Sequence, residues 1–105
     1  MDIRFVYMTA GSMAEARTIS LELVESRLAA CVNILPGMQS IYRWEGKIEE
    51  ADEVVVIAKT TASRVPELTA RVKSLHSYDC PCVVSLKVDG GYQPYLDWIT
   101  GNVSS

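Results

Sequence analysis

The sequence is poor in the groups on which most enzyme active sites are built. Its 105 residues include one histidine, His76. No serine stands in a G-x-S-x-G setting, and neither a G-x-x-x-x-G-K phosphate loop nor a G-x-G-x-x-G dinucleotide turn is present. Those absences remove the common nucleophile and phosphate-binding templates and predict a protein that is not an enzyme. Basic charge is also scarce: Lys and Arg number 10 against 13 Asp and Glu, a formal net charge of −3. Phosphate neutralisation supplies most nucleic-acid affinity, so an acidic chain without a basic stripe predicts no nucleic-acid partner. No hydrophobic run approaches the roughly 20 residues that a membrane helix needs, which predicts no membrane partner. The apolar stretch behind Arg4, Phe5 to Met8, is shorter than a signal-peptide core of about 7–15 residues. A cytoplasmic location is the resulting expectation.

Cysteine is sparse and odd in number: Cys31, Cys80 and Cys82. Three cysteines cannot all pair within one chain, so reduced thiols in a reducing compartment are expected. What the chain does have is core: 49% of it is hydrophobic and 22% charged, the balance of one globular domain over residues 1–105.

Residues 3–8 read as a strand. Ser12 followed by Glu15 is a capping-box signature, and Ala16, Ile19, Leu23 and Leu28 then recur at helical spacing. Residues 29–35 read as a second strand closed by Pro36-Gly37, and residues 40–48 as a third, with Tyr42, Trp44 and Ile48 on one face. Residues 49–52 read as an acidic turn and residues 53–60 as a strand apolar on both faces. A helix capped near Ser63 carries Pro66 and Glu67 in its first turn, with Val65, Leu68, Val72 and Leu75 as its apolar stripe. Residues 81–88 read as a strand, Gly90-Gly91 as a turn and residues 94–100 as a short C-terminal helix.

Two βαβ halves in succession predict an α+β, ferredoxin-like βαββαβ sandwich, an antiparallel sheet with both helices on one face. In such a sheet a wet face alternates apolar and polar residues. The strand Val54-Val55-Val56-Ile57-Ala58 does not alternate, so something apolar must cover the second face. A further copy of the same chain is the expected cover, and the aromatic tail around Tyr95 and Trp98 is the alternative.

Two constellations could carry chemistry. His76, Tyr78, Asp79, Cys80 and Cys82 are packed into seven residues. Imidazole and thiolate suit copper or zinc, and Cys80 and Cys82 point to one side of an extended backbone. The competing reading makes His76 a helix C-cap and the cysteines small buried hydrophobes. The second constellation is Tyr42, Trp44, Lys59, Tyr78 and Trp98. These residues either line a shallow cleft at a subunit boundary, with Lys59 aimed at a small anion, or simply pack. An acid/base role for His76, with Tyr78 or Lys59 orienting a substrate, and a non-catalytic interaction scaffold remain open beside these.

Taken together, Ala30-Cys31-Val32-Asn33-Ile34-Leu35-Pro36-Gly37, the run Y-x-W-x-G-K-I-E at residues 42–49, Lys59-Thr60, His76-Ser77-Tyr78 with Pro81, and Tyr95-Leu96-Asp97-Trp98-Ile99 resemble the CutA family, named for tolerance to divalent cations. The resemblance spans nearly the whole chain. It implies a ferredoxin-like protomer in a homotrimer similar to the PII signalling proteins, with strands paired between subunits, an association with divalent metal, copper above all, and no catalytic activity. His76, Tyr78, Trp44 and Lys59 stand at positions matching the family pattern. The segment after the histidine departs from it: where the family reads H-P-Y-E-x-P-E, this chain has Ser77, Asp79 and Cys82 in place of the proline and the two glutamates. A thiol at position 82 implies either a metal preference shifted toward Cu(I) or Zn(II) or the loss of metal binding there.

Overall fold

The computed structural model describes residues 2–104. Strand β1 (Ile3–Ala10) is followed by helix α1 (Met13–Glu25), strands β2 (Cys31–Trp44) and β3 (Lys47–Thr61), helix α2 (Val65–Leu75), strand β4 (Val83–Lys87) and helix α3 (Gln93–Gly101). The sheet order is β2-β3-β1-β4, and every neighbouring pair is antiparallel. This is the expected βαββαβ sandwich with its short C-terminal helix.

The predicted α1 cap is present. Glu15 N–H donates to Ser12 Oγ at 3.1 Å, while the Glu15 carboxylate reaches one residue further back, to Gly11 N–H at 3.2 Å. Ala16, Ile19 and Leu23 on α1 and Leu68 and Val72 on α2 pack on Val6, Met8, Val56 and Ala58 of the sheet, and all of these are buried. Thr60, fully buried, donates its hydroxyl to Leu28 O at 2.7 Å, so the core closes without an orphaned hydroxyl there. Ser63 does not cap α2. It lies in a 3-10 turn, Ala62–Arg64, which feeds the helix directly, and its hydroxyl meets Thr61 Oγ1 instead.

The largest correction lies between residues 29 and 61. Pro36-Gly37 does not end a strand. It forms a bulge inside one continuous β2, the register passing from Leu35↔Val55 to Met38↔Glu53 with Gly37 at φ +85°. Two residues then oppose one, and a proline without an N–H is tolerated because the ladder is already broken there. The turn sits at Glu45-Gly46 (φ 49° and 78°), the two-residue geometry with both central residues left-handed that a tight hairpin favours. The acidic residues 49–52 therefore lie in β3, opposite residues 39–42, and Asp52 accepts a hydrogen bond from Gln39. The turn also reverses the facing of Ile48. It pairs with Arg43, so it lies on the opposite face from Tyr42 and Trp44. The result is a two-stranded arm that gives the molecule extents of 44 × 25 × 22 Å.

Helices α1 and α2 cover one face of the sheet. On the other, α3 covers only one end, where Ile99, Leu96 and Val103 pack with Ile3, Phe5 and Ala30. Beyond α3, Leu35, Val84 and Leu86 stay about half exposed, as does Trp44 on the arm, while Ile41 and Ile48 are more exposed still on the arm's opposite face. Among the described residues no helix is long and apolar enough to cross a membrane.

Candidate functional site

The segment between α2 and β4 is tied down by His76. Its Nε2 lies 2.7 Å from Thr9 O, and its Nδ1 lies 3.0 Å from the backbone N of Tyr78. A carbonyl only accepts and an amide N–H only donates, so the ring is the neutral tautomer protonated on Nε2. The ring also contacts Tyr78, with centroids 4.6 Å apart. Glu15 makes a second tie: its carboxylate accepts from Gly11 N–H at 3.2 Å and from Ser77 N–H at 2.8 Å. Burial pushes the Glu15 carboxyl up, but the hydrogen bonds from Ser77 and Gly11, with His76 nearby, outweigh it and leave the group below its ordinary value. Glycine at position 11 admits the Tyr78 hydroxyl, which would stand 3.2 Å from a Cβ placed there.

This pinning bears on both readings of His76. The C-cap reading holds only in part: the backbone N–H of His76 closes α2 on Val72 O, while its ring bridges to β1 and to its own loop. With both ring nitrogens engaged, neither is open to a metal ion in this arrangement.

The pinned loop forms one wall of a cavity of about 360 Å³, lined by Thr9, Tyr42, Trp44, Glu53, Tyr78, Asp79, Cys80 and Cys82. The bulge at residues 36–37 matters here. It sets the register that puts Tyr42 and Trp44 on the same side of the ribbon as Glu53. Tyr78 donates its hydroxyl to Glu53 Oε2 at 3.0 Å. Burial first, and then that bond to Glu53, push the Tyr78 phenol up to about 12, so it is a neutral donor at any ordinary pH. Burial and the Glu53 charge likewise raise the Cys82 thiol. Cys80 is exposed and Cys82 half-buried, and all three cysteines are free. Strand β4 begins at Val83, two residues later than expected, so both thiols belong to the loop rather than to a strand.

The aromatic and basic constellation divides in two. Tyr42, Trp44 and Tyr78 meet in the cavity, whereas Lys59 and Trp98 lie elsewhere. Lys59 is six residues along β3 from Glu53, roughly 20 Å at strand rise. Its ammonium donates to Tyr95 Oη at 3.0 Å and lies 5.3 Å from the ring centroids of both Phe5 and Tyr95. Trp98 stacks on Tyr95 with centroids 5.7 Å apart. Glu53 was not singled out from the sequence as a site residue, and Asp79 entered only as a member of the first constellation. The acidic run hid Glu53, because a solvated turn and a cavity wall read alike until register is known.

The donors test poorly against a closed metal site. Among the described residues no three His, Cys, Asp or Glu side chains converge as metal ligands would. A structural zinc site takes four ligands. What remains is a pair of thiols bordering one cavity, a set suited at most to a soft ion of low coordination number.

Comparison with known proteins agrees with the fold. The family described as CutA1 divalent ion tolerance protein matches residues 4–102. The divalent-cation tolerance protein CutA of Thermus thermophilus is 50% identical over 97 residues, covering 92% of this chain and 94% of that one. The human protein CutA is 46% identical over 93 residues, 89% of this chain and 52% of that one. The solved structure of the Thermus thermophilus divalent cation tolerance protein superposes with a TM-score of 0.95 at 47% identity, covering 97% and 99% of the two chains. CutA1 from Oryza sativa gives 0.97 at 36% identity over 99% and 95%. These names describe tolerance to cations and not a catalysed reaction, in keeping with a chain that lacks an enzyme template. With its Y-x-W-x-G-K-I-E hairpin, its sheet order and this match over nearly its full length, the chain belongs to the CutA1 divalent ion tolerance protein family.

Proposed function

We propose that the chain works in the cytoplasm as a homotrimer that takes part in the response to divalent metal ions, copper among them, and takes up a metal ion or small ligand at a cleft between subunits. The observation that carries the oligomer is the sheet face that α3 leaves half covered: Leu35, Val84 and Leu86 present apolar surface there that water does not favour, and Ile41 and Ile48 add more on the opposite face of the arm. An antiparallel arm with a free β2 edge is suited to pairing with a second copy. The number three follows from the family resemblance. The metal response follows from the names of the relatives, and the thiols of Cys80 and Cys82 are the groups in the cavity that fit a soft ion such as Cu(I).

A second reading, a trimeric scaffold or PII-like signalling protein without bound metal, is favoured by the engagement of both His76 nitrogens and by the lack of a three-donor cluster among the described residues. Native mass spectrometry of protein purified without added metal or chelator separates these readings. A trimer retaining copper or zinc, with the metal lost in Cys80→Ser/Cys82→Ser, supports the metal reading. An empty trimer that takes up no Cu(I) supports the scaffold, and a monomer overturns both.

A further inference from the structure

The cavity between the arm and the loop after α2 has a chemical character that a metal reading leaves unused. Three aromatic rings, Tyr42, Trp44 and Tyr78, share its wall with two carboxylates, Glu53 and Asp79. Among the described residues no lysine, arginine or histidine lines it. Lys47 pairs across the hairpin with Trp44, and Lys73 donates to the backbone carbonyl of Asp79, yet neither contributes to the wall. Glu53 and Asp79 are the carboxylates of that lining and supply its charge. Tyr78 donates to Glu53 Oε2 and holds that carboxylate beside its own ring in the lining. Ring faces attract cations through their quadrupoles, most strongly at tryptophan, and a nearby carboxylate adds a net charge. About 360 Å³ is room for a small molecule, beyond what a bare ion requires.

We propose that this cavity is a binding site for a small organic cation, an alkylated ammonium whose methyl or methylene groups lie against Trp44 and Tyr42 while its charge faces Glu53 and Asp79. Anions are repelled by the same two carboxylates, and a neutral molecule of equal shape gains the apolar contact alone. A metal ion would rely on the thiols, whereas this ligand relies on rings and carboxylates, so the two occupants separate by mutation.

The test is a titration of the assembled protein with tetramethylammonium chloride at constant ionic strength, followed by amide and side-chain NMR shifts. Isosteric neutral tert-butanol serves as the matched control. Saturable shifts confined to Tyr42, Trp44 and Tyr78 are expected, with affinity for tert-butanol at least about tenfold weaker. Glu53→Gln and Trp44→Ala should each weaken tetramethylammonium binding several-fold, with the assembly mass checked unchanged. Equal affinity for the neutral control, saturation mapped to Lys59 and Trp98, insensitivity to both cavity variants, or no saturable binding would each overturn the proposal.

Discussion

Replacing His76 with alanine removes two hydrogen bonds at once, one to Thr9 O and one from Tyr78 N–H, together with the ring contact to Tyr78. Each bond is worth about 0.5–1.5 kcal/mol net. Thr9 is buried, so its carbonyl gains little water in return. The pair and the ring contact together come to about 2–3 kcal/mol. For a domain of this size that is a fall in Tm of about 10 °C or more, provided protein concentration is held constant, since assembly couples to stability. The decisive arm is a chelator. If His76 is a clamp on the loop, the loss is the same with and without EDTA and with and without added copper. Should the variant match the wild type in EDTA and differ only when copper is present, His76 is a metal ligand and the neutral, doubly engaged ring is the wrong description. A melting temperature unchanged under every condition would refute the clamp as well.

Glu15 has a depressed pKa, so its contribution to stability is present above its ordinary value of 4.5 and is lost as pH falls through the lower folded value. Glu15→Gln should therefore be less stable than the wild type at pH 7 and converge with it in acid, which urea midpoints against pH would reveal; parallel curves would count against the Ser77 and Gly11 bonds. Leu23 is fully buried between α1 and the sheet, and Leu23→Ala should lose about 3 kcal/mol in denaturant unfolding, a loss under about 1 kcal/mol indicating a looser core. Alkylation by iodoacetamide, followed by peptide mass spectrometry, should reach exposed Cys80 before Cys82, whose thiol burial and Glu53 hold in the unreactive form; Cys82 reacting first would contradict the cavity geometry.

Much of this molecule can be read along the chain because local rules govern it. Ser12 and Glu15 start α1 through contacts within four residues, and the stripe from Ala16 to Leu23 has one face to bury. The unbroken apolar run at residues 54–58 announces a strand with both faces in apolar surroundings, and β3 lies centrally in the sheet between β2 and β1. Where the reading failed, a local signal had two meanings. Pro36-Gly37 marks a turn or a bulge equally well, and only the presence of β3 alongside, continuing past the interruption, makes it a bulge. Glu45-Gly46 inside an alternating run looked like more strand, and the consequence was a wrong face for Ile48.

The sequence by itself determined the βαββαβ order, the family and the two groups of residues worth examining, since periodicity, capping and motif are properties of neighbours in the chain. Tertiary structure alone decided which of those residues meet. Glu53, 25 positions before Tyr78, shares a hydrogen bond with it, while Lys59, six positions further along the same strand, is carried to the other end of the sheet. The Thr9 carbonyl that holds His76 is likewise 67 positions away. Such partnerships depend on strand register and on the single-residue shift at the bulge, quantities set by the packing of the whole domain and written in no short stretch of sequence.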